Sequence, residues 1–303
     1  AMSIIPAYLN PGDAIAIVAP SRKVSLPELQ PFIGLMEANG FKVLYNDGLF
    51  YTDNQFAGTD KQRAADLQFW LDHSEVKAIV AARGGYGMGR IIDLLNFDSF
   101  VKKPKWLIGF SDFTVILSHI ISNFNVVGLH GAMAAFLKPD SNTDVQHSYN
   151  ALIPVLKGNL PQYELPENLL SIKGNCKGKL VGGNLSVLYS MMGSISEIQT
   201  KDAILFLEDL DEYLYHIDRM MLCFKRAGKF EGIKGVVVGH MNDMHDNTVP
   251  FGKTVEQILL SYFQDLNIPV YFGFDAGHLQ RNLPLILGMN VNIENNILTF
   301  DPS

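Results

Sequence analysis

The sequence predicts an α/β fold: a doubly wound, mostly parallel sheet domain followed by a smaller α/β domain with more strand character. Three observations carry this. In the first half, short strands that are apolar throughout alternate with amphipathic helices, the pattern of strands buried on both faces of a parallel sheet. Between residues 138 and 174 the periodicity weakens, and Pro139, Pro154, Pro161 and Pro166 interrupt it. A second strand–helix series then begins, and it ends in alternating residues. The expected organisation is an amino-terminal α/β domain over 1–150, a linker over 151–174 and a carboxyl-terminal domain over 175–303. A length of 303 residues suits two domains of ordinary size.

The elements follow in order. A strand over 14–20 comes after the turn signal Asn10-Pro11-Gly12-Asp13. A helix over 26–39, a strand over 41–45, a helix over 61–72, a strand over 76–82 and a helix over 89–95 complete the first run. Residues 105–110 read as a short buried strand, and 112–121 switch to helical spacing with Phe113, Ile116, Leu117, Ile120 and Ile121 on one side. A strand over 125–129 closes the first half. In the second half, Val181-Gly182-Gly183-Asn184 opens a helix over 185–192. A strand over 203–207, a helix over 211–227, a strand over 235–240, a helix over 255–265 and a strand over 270–274 come next. Residues 283–300 read as a closing hairpin turning at Glu294-Asn295-Asn296.

Composition limits the function classes. An apolar fraction of 48% with 18% charged residues describes a globular protein with a large core. A formal charge of −7 gives no global reason to bind nucleic acid or an anionic membrane. Cys176 and Cys223 are too few for a disulfide framework or a cysteine zinc site, which suits a reducing compartment. No run approaches 18 apolar residues, so no membrane span is expected. The first residues lack a basic stretch followed by a long apolar one, so the expected location is the cytoplasm.

Four places could carry chemistry. Ser111 stands where a strand turns into a helix, with its backbone at the positive end of the helix dipole and its side chain at the sheet's carboxyl edge. Gly109 matches the Gly-x-Ser half of a nucleophile elbow, whereas Phe113 occupies the second glycine position; the competing reading is a helix N-cap. Arg83-Gly84-Gly85-Tyr86-Gly87-Met88-Gly89 follows an apolar strand, with four glycines in six positions. Such a loop can turn backbone N–H groups inward as an oxyanion hole or phosphate cradle. No Gly-Lys-Ser/Thr follows, so it is not a P-loop.

Third, Glu208, Asp209, Asp211 and Glu212 place four acids within five positions after an apolar strand. Glu208, first after the strand, is the acid expected to be partly buried; the others read as helix-start residues. Fourth, His278 follows Gly277 on a loop after a strand, a suitable place for a general base. His73, His119, His130, His147, His216, His240 and His245 compete, but none has metal-ligand spacing, so neither a metal nor another cofactor is expected.

In this order, Ser111, the glycine loop, Glu208 and His278 resemble the LD-carboxypeptidase family of serine peptidases, which includes microcin-immunity type hydrolases. The likeness runs nearly end to end through PGDAIAIVAPS, ARGGYG, GFSD, GLHG, VGGNLSVL, FLEDLDEYLYHIDRM and GHLQRNLPLILG. It implies Ser111 as nucleophile, Glu208 as triad acid and His278 as base, with oxyanion donors at the backbone N–H of Gly85 and Asp112. It also implies release of a terminal D-alanine from a murein tetrapeptide. The expected partner is therefore a small peptide, held beside Arg83, Gly84 and Tyr86, and the protein could form a homodimer. Arg219 reads as an intrahelical partner of Asp211 or Glu212. Asp275-Ala276 departs from the more apolar residues expected before Gly277-His278.

Two other readings compete. A microcin-immunity type hydrolase of peptidyl or aminoacyl nucleotides uses the same triad and an aromatic loop that stacks the base. The only tryptophans, Trp70 and Trp106, read as buried in or beside regular elements. A non-catalytic two-domain binder of small ligands fits the paired α/β halves but leaves the ordered triad unexplained. A glutamine amidotransferase-like enzyme would want cysteine at the elbow.

Overall fold

The computed structural model describes residues 2–303. Five strands come from the first half: β1 (Ala14–Val18), β2 (Lys42–Leu44), β3 (Val76–Ala81), β4 (Trp106–Gly109) and β5 (Gly128–His130). The second half supplies β6 (Gln162–Glu164), β7 (Cys176–Asn184), β8 (Ala203–Leu210), β9 (Gly235–Asn242) and β10 (Val270–Tyr271). The chain ends with β11 (Leu285–Leu287), β12 (Asn290–Glu294) and β13 (Ile297–Asp301).

The first sheet runs β11-β5-β4-β3-β1-β2, and its five amino-terminal strands are parallel. Ile15, Ile17, Ile79, Val80, Leu107 and Leu129 are fully buried, as strands covered on both faces require. From β1 the chain goes to β2 on one side and then to β3 on the other. The crevice beyond the ends of β1 and β3 is therefore a topological switch point, where open α/β sheets take their ligands. The second sheet runs β10-β9-β8-β7-β12-β13-β6, with β7 to β10 parallel and the other three antiparallel.

Three expectations need correction. Residues 283–300 are not one hairpin. Only β12 and β13 pair that way, turning at Asn295 and Asn296, whereas β11 crosses to pair antiparallel with β5 in the first sheet. The crossing follows at Gly288, whose φ of +91° suits glycine. The stretch over 138–174 contains a regular helix, Thr143–Leu156, which runs through residue 150. Asn142 caps it, Tyr149, Leu152 and Leu156 are buried on one side, and Pro154 falls in its last turn. Third, β8 continues to Leu210, and the helix expected from residue 211 begins at Leu214. No helix among the described residues is long and apolar enough to cross a membrane.

Candidate active site

The elbow is built as its sequence requires. β4 ends at Gly109, where a Cβ would stand 2.6 Å from the Phe113 ring. Phe110 is extended, and Ser111 then takes φ +61°, a left-handed conformation that costs a non-glycine residue about 1–2 kcal/mol. A single 3₁₀ turn, Ser111–Phe113, leads into the helix Thr114–Phe124. The Ser111 side chain makes no capping bond, so the N-cap reading falls. Its Oγ lies 3.0 Å from Nε2 of His278 instead.

His278 is fixed from both sides. Its Nδ1 lies 2.7 Å from Oε2 of Glu208, which is completely buried at the end region of β8. Gly277, at φ +131°, lets the loop press against that carboxylate: a Cβ there would come 2.9 Å from Oε2. Burial pushes the His278 imidazole down, but the Glu208 bond and charge, with the Asp209 charge, outweigh it and raise its pKa above the ordinary histidine value.

Asn184, at the end of β7, ties this acid to its surroundings. Its Nδ2 donates to Oε1 of Glu208 at 3.2 Å and to Oδ1 of Asp209 at 3.3 Å. Its Oδ1 accepts from the Val187 N–H and the Ser186 hydroxyl, and its backbone N–H donates to Oγ1 of Thr114 in the elbow helix. Asp209 is thus not a helix-start residue. It is buried in β8, accepts from the Ser186 N–H at 2.9 Å, and is pushed up to about 7 by burial and then by the Glu208 charge. Glu212 bonds His216, and Asp211 bonds His245.

The glycine loop faces Ser111. A Cβ on Gly84 would lie 3.4 Å from that of Ser111, and Gly85 has φ +118°. The Gly85 N–H has no protein acceptor among the described residues. The Asp112 side chain secures the loop: Oδ2 accepts from the Met88 N–H at 2.8 Å and from the Ser21 hydroxyl. Burial raises the Asp112 pKa against these bonds. One carboxylate thereby joins the elbow to the ends of both β1 and β3.

A cavity of about 710 Å³ opens over these groups, lined by Ser111, His278, Gly84, Gly85, Asn184 and Asp209 among others. Arg83 lines it and pairs with Glu28 at 3.4 Å. Tyr86, expected beside the substrate, lies outside this lining and packs against Phe56, its ring half exposed. Arg219 corrects a second expectation. It lies over the Tyr215 ring and pairs with no acid among the described residues.

The competing histidines lie elsewhere or serve the fold. His130 is enclosed between Phe110 and Phe206, and burial pushes it down to about 4. His240 accepts from the Leu279 N–H and meets Asp275 at 3.3 Å, so the unexpected Asp275 helps hold the His278 loop. Among the described residues, no cluster of His, Cys, Asp or Glu is placed to hold a metal. Sequence reasoning missed the side chains of Asn184, Asp209 and Asp112. The signal for Asn184 was the polar residue ending an apolar, glycine-rich strand.

A strained serine on a strand–helix turn, bonded to a histidine that is bonded to a buried carboxylate, defines a serine-type hydrolase. Sequence comparison narrows the class. Profiles of the LD-carboxypeptidase N-terminal and C-terminal domains match residues 15–131 and 177–293, so the chain belongs to the LD-carboxypeptidase family of peptidases. It is 34% identical over 292 residues to a probable murein peptide carboxypeptidase of Bacillus subtilis, covering 93% of this chain and 89% of the relative. A crystal structure of muramoyltetrapeptide carboxypeptidase from Oxalobacter formigenes superposes with a TM-score of 0.82 at 26% identity, covering 95% and 97%. The microcin C7 self-immunity protein MccF shares the fold with a TM-score of 0.86 at 22% identity, covering 98% of each chain.

Proposed function

We propose that this protein is a serine carboxypeptidase that hydrolyses the amide between the L-centre of a diamino acid and a terminal D-alanine in murein tetrapeptide, in cytoplasmic wall recycling. The observation that carries the reading is the continuous chain from Ser111 Oγ through the His278 ring to Glu208, at 3.0 and 2.7 Å. The names of the relatives support the substrate.

The chemistry follows from that chain. His278 Nε2 takes the proton as Ser111 Oγ attacks the scissile carbonyl, and Glu208 holds the imidazole tautomer and stabilises the imidazolium. The N–H groups of Gly85 and Asp112 receive the developing oxyanion. His278 then protonates the departing D-alanine amine, leaving the peptide as an ester on Ser111. Water, deprotonated by the same imidazole, releases it. Nucleotide-linked substrates are the second reading, but Trp70 and Trp106 are buried and neither lines the cavity, so no tryptophan is placed to stack a base.

Incubation with L-Lys- and meso-diaminopimelate-containing tetrapeptides, followed by mass analysis, tests the proposal. Loss of one alanine is expected. Intact tetrapeptides alongside cleavage of an aminoacyl sulfamoyl nucleotide would move the function to the second reading.

A further inference from the structure

A carboxypeptidase must distinguish a chain end from a chain interior. Its substrate carries a carboxylate one carbon beyond the scissile nitrogen, and the natural recognition element is an arginine or lysine free to meet it. Three cations line the cavity that holds Ser111: Arg22, Arg83 and Lys138. They are not equivalent.

Arg83 already has a carboxylate, that of Glu28 at 3.4 Å. The same carboxylate feels the charge of Lys138 as well. Among the described residues neither the Arg22 guanidinium nor the Lys138 ammonium makes an ion pair or a side-chain hydrogen bond. What sets Arg22 apart is its place against Gly85. Arg22 is nonetheless held in place. Arg22 directly follows Ser21, whose hydroxyl bonds Asp112, and its backbone bridges to Phe56. Its side chain lies across Gly85, close enough that a Cβ there would come 2.4 Å from Cγ, 2.6 Å from Cδ and 2.7 Å from Nε. Gly85 therefore serves two needs at one position, a freely aimed N–H and room for this side chain.

The topology explains the juxtaposition. Arg22 follows β1 and Gly85 follows β3, so the two flank the switch-point crevice, with Ser111 beyond β4. A scissile carbonyl oxygen taken up by the Gly85 N–H would lie beside the Arg22 side chain, whose Cγ, Cδ and Nε crowd the Cβ position of Gly85. From this geometry we infer that Arg22 is the specificity residue that receives the terminal carboxylate of the leaving D-amino acid. The inference rests on the carboxypeptidase reading above and assigns to Arg22 a role that the sequence alone gave to no residue.

The test compares a tetrapeptide ending in D-alanine with the same peptide ending in D-alaninamide, in wild type, R22Q, R22K and R83Q. The wild type should prefer the free acid. R22Q should narrow the acid-over-amide ratio of kcat/KM by about 10- to 100-fold, the range for losing a hydrogen bond to a charged group. R22K should retain part of the preference. An equal loss on both peptides in R22Q, or a carboxylate-selective loss only in R83Q, would overturn the assignment. Calorimetry with S111A and S111A/R22Q separates this claim from the activity itself. Tighter binding of acid than amide that disappears with R22Q supports Arg22 whatever the turnover, and equal affinities in S111A refute it. Absence of D-alanine release by the wild type counts against the proposed activity alone.

Discussion

His278 Nε2 stands 3.0 Å from Ser111 Oγ across 167 positions of sequence, and the strand that follows His278 pairs with the strand after the elbow helix. β11 joins β5 in the first sheet, with Leu285 opposite His130. The base is thus anchored to the nucleophile's own sheet, while its acid partner comes from the second. Residues 1–137 expressed alone lack β11 and the helix Thr143–Leu156, and are expected to be poorly folded and inactive. A cooperative unfolding transition of native steepness for that piece would show that β11 is dispensable.

Ser111→Ala should remove D-alanine release while keeping the fold and peptide binding, since only a hydroxyl is lost. Ser111→Gly should be equally inactive yet more stable, by about 1 kcal/mol, because glycine takes φ +61° without strain. Denaturant titration of the two variants checks this. A glycine variant less stable than the alanine variant would remove the case for strain at the elbow.

Glu208→Gln should lower kcat by about 10⁴, the effect of leaving a triad histidine in the wrong tautomer. Glu212→Gln should be mild, because its partner is His216 and not His278. Steady-state kinetics on the two variants discriminate, and the opposite order would transfer the role to Glu212.

The fold class was legible because it rests on local patterning, and Ser111, Glu208 and His278 each stood out at a strand end, but it was the family resemblance that grouped them as a triad. Apolar strands, amphipathic helices and chemistry-bearing residues at strand ends are all short-range signals. The crossing of β11 was not legible, since Leu285-Ile286-Leu287 is equally apolar in either sheet and only tertiary pairing decides. The Thr143–Leu156 helix was obscured by Pro154 and the surrounding prolines. Asp209 looked solvated because nothing local reveals that β8 continues past Glu208 under Asn184. The Arg22–Gly85 contact depends on the order of strands in the sheet, which no motif records.

The pH dependence follows from the raised His278 pKa. The base must be neutral, so activity should fall as pH drops through a value above the ordinary 6.5. Stability runs the other way. A histidine raised in the folded state contributes stability that is fully present below its unfolded pKa and is lost as pH rises through the folded one. Between those two values activity should climb while this contribution to stability declines. The kcat/KM profile should show the limb, and Glu208→Gln should move the residual limb to lower pH. A limb that stays in place would assign it to another group, Asp209 being the first candidate.

Asn184→Ala should weaken both catalysis and folding. The substitution strips Glu208 Oε1 and Asp209 Oδ1 of a donor and leaves the Val187 N–H without its cap. A loss of about 1–3 kcal/mol in stability, with kcat reduced more than KM is raised, is the expected outcome. A change in KM alone would mean that Asn184 contacts substrate and does not position the acid.

The most direct test of the account is labelling by a fluorophosphonate, which phosphonylates an activated serine. Intact-protein mass should show one adduct, mapped by proteolysis to the peptide containing Ser111. That adduct should be absent in Ser111→Ala and strongly slowed in His278→Ala. Labelling at any other serine, or none at all in a protein that still releases D-alanine, would contradict the triad.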